Sequence, residues 1–248
     1  MSAPSAIQRR PRTSLPGRRE RMRHMLHGAS LVLIVAGLFV LLDAVLTLVW
    51  QEPISALYAH VRQDELGSEL AAMEREPPSP LVLGALDRLH AQNARIALLA
   101  ADWQRRVRED GAVGRIEIPR IGADFIVVRG TSAHDLESGP GVYPQTGFPG
   151  APGTTAIAGH RTTYLAPFRN LGELHPGDHI VVEMPYGRFT YAVQSSARVS
   201  PYDVAIVRSV GYQRLVLSSC DPLFSAAHRL VVFARLSSVV ALGAAVHL

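Results

Sequence analysis

Apolar residues are unevenly spread along this chain, and where their period changes the chain changes character. Residues 28–50 are apolar almost without interruption. As a helix rising 1.5 Å per residue they would reach roughly 34 Å, enough to cross the hydrocarbon core of a bilayer. Asp43 is the one charge inside the run. Between Leu31 and Val49 stand fourteen Leu, Ile, Val and Phe residues. They favour insertion by about 4 to 8 kcal/mol, against about 3 kcal/mol for a central Asp. The helix is therefore expected to insert, with Asp43 towards its outer end, where the penalty falls and where an intramembrane acid could also carry a role of its own.

The period then becomes that of amphipathic helices. Pro53 suits a first turn, and Ile54, Leu57, Tyr58 and Val61 fall on one helical face. Pro77, Pro78 and Pro80 end that helix. A second is expected over 81–108, with Val82, Leu89, Ile96 and Trp103 recurring every seventh residue. Ala85 and Gln92 at the companion positions weaken a coiled-coil reading. These helices are read as packing on a folded domain or holding it off a membrane, with dimerisation as the alternative. From Gly114 onward the pattern is of short β-rich runs punctuated by Gly and Pro. Strands are expected over 115–119, 124–128, 154–158, 179–184, 189–199, 204–207, 216–220 and 229–236, with a structured loop over 139–153 and a short helix over 165–174. So many short strands predict a mainly β domain, a sandwich or a barrel. Residues 239–246 are apolar but too few to span a membrane. They are expected to pack on the barrel or fray.

Length and composition fit that division. The 248 residues, 48% of them hydrophobic, suffice for one core with attachments. The formal charge of +4 misrepresents the whole. Residues 1–27 hold seven Arg against Glu20, and the remainder eighteen Arg against twenty acids. Such an Arg-rich tail, with Pro11 and Pro16, is read as disordered. A nucleic-acid arm is the rival reading, but the apolar run directly after it argues for the cytoplasmic flank of a membrane anchor. Gln51-Glu52-Pro53 offers no small-x-small cleavage site, so the anchor is expected to stay attached, with all that follows outside the cell. The organisation expected is a cytoplasmic tail (1–27), a transmembrane anchor (28–50), a helical spacer (51–112), a folded domain (113–236) and a C-terminal tail (237–248).

Candidate chemistry centres on Cys220, the only cysteine in the chain. It ends the apolar run Val216-Leu217-Ser218-Ser219. No intramolecular disulfide is possible, and an unpaired thiol in an oxidising compartment is a liability unless it is used. A thiolate attacks carbonyls, an imidazole exchanges protons near neutral pH, and a fixed cation can hold an oxyanion. Strand alternation puts Cys220 on one face with Ser218 and Val216, and Arg229 on one face with Val231 and Phe233, which sends His228 to the opposite face. That leaves His160, after the strand-like 154–158, as the better imidazole. Asp221 is a weak candidate for orienting it in papain-like fashion.

These residues resemble the sortase family, whose members carry Thr-Leu-x-Thr-Cys at a strand end, an Arg opening the next strand and a His about sixty residues before the Cys. Here the motif reads Val216-Leu217-Ser218-Ser219-Cys220, with Val216 and Ser219 replacing two Thr. Arg229 and His160 stand at the matching positions. The run from His160-Arg161-Thr162-Thr163-Tyr164 to Pro176-Gly177-Asp178 looks most like the class E branch of actinobacteria. The resemblance covers residues 114–236. It implies an eight-stranded β-barrel, with Cys220, His160 and Arg229 as catalytic residues. It implies cleavage of a C-terminal LPxTG-like motif, LAxTG for class E, between Thr and Gly, and transfer through a thioester to an amine of a peptidoglycan precursor or a pilin Lys. No nucleotide, flavin or metal is required, and no acidic cluster suggests the calcium site of some relatives. An L,D-transpeptidase would place His and Cys close in sequence, and a papain-like protease would place Cys before His. A non-catalytic membrane-anchored scaffold on a similar barrel is the remaining alternative.

Overall fold

The computed structural model describes residues 18–49 and 53–245. It divides into two units, residues 1–49 and 50–248. In the first, α1 (Arg18–Val49) is one helix of 32 residues. Within it Met22–Val45 is long and apolar enough to cross a membrane. The helix begins at Arg18, so residues 18–27 are not the irregular chain expected. Once the apolar run is helical, extending it through Arg, Met and His residues adds hydrogen bonds without a second nucleation. The expectations for residues 1–17 and for the end of the span at Trp50 lie outside the described residues.

The second unit opens with α2 (Pro53–Glu74), α3 (Pro80–Leu86) and α4 (Gln92–Arg106). The single helix expected over 81–108 is thus two. Ser79 caps α3 by accepting from the Val82 N–H at 3.4 Å. The break after Leu86 is held by buried Arg95, which donates to the carbonyls of Leu86 (2.7 Å) and Ala244 (3.0 Å). Val82, Ile96 and Trp103 of the seven-residue series are buried in the core of this unit, and Trp103 Nε1 donates to the Val113 carbonyl at 2.8 Å. The stripe packs on the barrel.

Eight strands form that barrel: β1 (Ala112–Ile118), β2 (Ala123–Arg129), β3 (Gly141–Val142), β4 (Thr154–Ala158), β5 (His179–Met184), β6 (Gly187–Val199), β7 (Arg214–Asp221) and β8 (His228–Ala241). They close in the order β1-β2-β3-β4-β7-β8-β6-β5. The first four strands in the sequence are neighbours in the barrel, and so are the last four. The halves meet at two seams, β4 parallel to β7 and β1 antiparallel to β5. Alternation fills the interior with Ile157, Leu215, Leu217, Val232 and Ala234.

Three local expectations are corrected. Residues 204–207 form a 3-10 turn capped by Asp203 Oδ1 on the Ala205 N–H (2.9 Å), not a strand; four apolar residues fit either reading, and the cap decides. The helix expected over 165–174 shrinks to Leu171–Glu173. Pro167 disfavours a helical residue before it, and Tyr164, Leu165 and Ala166 are left-handed, with φ of 49°, 63° and 43°. Finally, β8 runs past the expected end at 236 to Ala241, opposite Gly187, so much of the C-terminal tail is barrel. A short helix, α5 (Ala133–Ser138), with a capping box of Ser132 and Asp135, adds to the expected elements.

Candidate active site

Two strand pairings assemble the candidate residues. In the antiparallel pair β7·β8, Cys220 lies directly opposite Arg229, Ser218 opposite Val231 and Val216 opposite Phe233. Directly opposed residues project to the same face. In the parallel pair β4·β7, Ala156 is level with Val216 and Ala158 with Ser218. The alignment continues past the strand end, since Gly159 N–H donates to the Ser218 carbonyl (3.0 Å) and Ser219 Oγ to the Gly159 carbonyl (2.8 Å). His160 follows two residues beyond Ala158, past the end of β4, and these bonds hold its segment beside the end of β7 that carries Cys220. Cys220 and Arg229 come from adjacent strands, and His160 from the segment that follows the strand on the other side of β7.

That face has an apolar floor. Ala156, Val216 and Val231 form a buried cluster apart from the barrel interior, flanked by Tyr143, Val199, Ile206, Val207 and Phe233. Tyr143 Oη and Ser218 Oγ share a hydrogen bond of 2.8 Å. The turn over 204–207, which single-sequence pattern assigns to a strand, packs against this cluster through Ile206 and Val207.

Burial shapes the imidazole. Desolvation lowers the His160 pKa below its ordinary value, partly opposed by the negative charge of Glu137. Neutral His160 is therefore the resting form at neutral pH. Its Nε2 is buried without a hydrogen-bond partner, which leaves that nitrogen for a proton exchanged at the site. Its ring lies 5.3 Å from that of Tyr164, which meets Tyr58 of α2 edge-on at 6.4 Å. Gly159 is needed beside it, because a Cβ there would come within 2.6 Å of the buried Phe168 ring.

Cys220 is half-buried. Arg229 Nη1 donates only to the backbone carbonyls of Ala226 and His228, each at 3.3 Å. Among the described residues it has no carboxylate partner, so its guanidinium keeps donors for an incoming oxyanion. His228 is exposed, on the other face as alternation requires. Asp221 does not orient His160. Its side chain is buried and ion-paired with Arg161 and Arg198. Burial pushes its pKa up, but the two guanidiniums outweigh burial and the net direction is down. Sequence reasoning misses both arginines. Alternation gives no signal for Arg161, which lies past the end of β4. Among the described residues no cluster of His, Cys, Asp and Glu could hold a metal ion.

The closed eight-stranded barrel defines the fold class, and comparison agrees with it. The model of the sortase domain matches residues 116–237. Sortase E from Streptomyces avermitilis superposes with a TM-score of 0.50 at 31% identity, over 54% of this chain and 93% of that one. The chain belongs to the sortase family, whose members are cysteine transpeptidases. Among curated relatives it is 38% identical over 112 residues to sortase D of Bacillus subtilis, covering 45% of this chain and 55% of that protein. With sortase SrtE1 of Streptomyces coelicolor it shares 30% identity over 172 residues, 60% of this chain and 49% of that protein. The chain thus spans about half the length of these two relatives.

Proposed function

We propose that this protein is a membrane-anchored cysteine transpeptidase that cleaves a C-terminal LAxTG-like sorting motif between Thr and Gly. It then joins the new carboxyl end to an amine of the cell wall or of a pilin. The observation that supports the reading is the register that sets Cys220 opposite Arg229, with the segment of His160 bonded to the same strand through Ser218 and Ser219, beside an apolar floor of Ala156, Val216 and Val231. An extended peptide laid along that floor would bring one carbonyl to the thiol. Neutral His160 takes the proton of Cys220 as sulfur attacks the Thr carbonyl carbon, and Arg229 holds the oxygen as it becomes negative. The C–N bond then breaks, and His160 passes its proton to the departing glycine nitrogen, leaving a thioester. An acceptor amine attacks the thioester with loss of a proton to His160. Collapse expels the thiolate, which recovers that proton. Protons and bonds balance over the cycle without a cofactor or metal. The Arg-rich sequence of residues 1–27, before the apolar run, supports an N-terminus in the cytoplasm and a catalytic unit outside.

The test is incubation of the full chain, in lipid nanodiscs, with quenched LAxTG and LPxTG peptides, with and without an amine acceptor. Cleavage between Thr and Gly that disappears in Cys220→Ala, with a ligated product when the amine is present, is the expected result. A Cys220 that is neither acylated by peptide nor labelled by thiol reagents would support the scaffold reading instead.

A further inference from the structure

His160 and Arg161 are chain neighbours, and so are Cys220 and Asp221. Alternation within β7 turns Asp221 away from the face of Cys220, and Arg161 reaches it there, so behind the site lies a second polar group made from the next residue in each segment. Asp221, 4% exposed, ion-pairs with Arg161 and Arg198. Arg161 also donates to the backbone carbonyl of Cys220 itself (3.2 Å) and to that of Arg169 (3.3 Å). One guanidinium thereby grips the nucleophile's own peptide unit, the carboxylate beside it and the far end of the loop that follows His160. Arg198 reaches in from β6, where it is level with Leu230, which is in turn level with Ser219. The ion group thus ties the extension of β4 to β7 and, across β8, to β6.

Given the transpeptidase reading above, we propose that Arg161 and Asp221 are positioning residues that fix the separation of His160 from Cys220. On that face, among the described residues, the only other side-chain bridge between the two segments is the single bond from Ser219 Oγ to Gly159. The clamp also sorts the charges. Arg161 and Arg198 are consumed by Asp221, whereas Arg229 on the other face keeps its donors. A buried carboxylate holding a cation behind the strand leaves the cation in front as the one that meets substrate. Displacing reacting groups by about 1 Å can reduce turnover about 100-fold, a lever that a surface ion pair lacks.

The experiment separates positioning from mere stability in the full chain in nanodiscs. Asp221→Asn strands Arg161 and should lower both Tm and kcat, the latter about 100-fold, with KM for the LAxTG peptide within about threefold. The double variant Arg161→Met with Asp221→Leu removes both buried charges; such apolar replacement is commonly neutral or stabilising, so Tm should return while kcat does not. Recovery of kcat along with Tm would show that the pair serves stability alone and would overturn the proposal, as would Asp221→Asn with kcat within threefold of wild type. Alkylation of Cys220 by iodoacetamide at neutral pH supplies a readout that needs no peptide. In the double variant it should drop to the rate of His160→Ala. A double variant alkylated at the wild-type rate overturns the clamp whether or not any peptide is cleaved, whereas failure of every peptide with the wild type counts against the transpeptidase reading alone.

Discussion

His160 shows how little of a side chain's chemistry is written in its letter. The chain has ten histidines. Desolvation lowers the pKa of this one, with Glu137 opposing. A lowered value means that the folded protein resists protonation below the ordinary pKa of about 6.5. If neutral His160 accepts the thiol proton, the acid limb of kcat/KM should lie below about 6.5. Glu137→Gln removes the opposing charge and should move that limb further down; a limb moving up, measured by peptide cleavage across pH 4 to 8, would contradict this account. Cys220 and Arg229 are legible in the amino-acid sequence because alternation and a motif place both. Arg161 is not, since its partner Asp221 stands sixty positions away and only the parallel pairing of β4 and β7 reveals it.

At the scale of elements, the helices before the barrel are part of its core. Ile96, Leu99 and Trp103 of α4 are buried with Ile116, Met184 and Phe189 of the strands. Trp103→Ala should therefore cost about 3 to 5 kcal/mol, read as a lower urea midpoint with an unchanged slope. A cost below about 1 kcal/mol would return these helices to the role of a loose spacer. The seven-residue stripe on this segment is legible in the sequence, but its break is not. Arg95 satisfies carbonyls at both residue 86 and residues 244 and 245, so the end of α3 is decided by the far end of the chain. The turn at 204–207 escapes the pattern for a similar reason: a four-residue apolar run has no period of its own, and the Asp203 cap sets its form.

At the scale of the whole molecule, acid should weaken the fold from two directions. The folded pKa of Asp221 lies below the ordinary carboxylate value, so its contribution is complete above about pH 4 and fades as pH falls through the folded value. His160 is held neutral, and the unfolded chain gains its proton first, from about pH 6.5 downward. Stability measured by urea unfolding should thus decline in two stages on acidification. Asp221→Asn should flatten the lower stage and leave the upper one intact; an unchanged lower stage would mean that other carboxylates dominate acid unfolding.

The seam between β4 and β7 has one more consequence. It divides the candidate site along the chain: the imidazole directly follows the first four strands, while the thiol and the guanidinium lie in the last four. The turn at His175-Pro176-Gly177 between them is exposed, so the protein is a natural candidate for fragment complementation. Cut there, neither piece holds a whole site, and imidazole-assisted labelling of Cys220 should return only when the two pieces are mixed and the barrel closes. Reactivity of that thiol would then report completion of the fold, a property that a site built within one hairpin could not have.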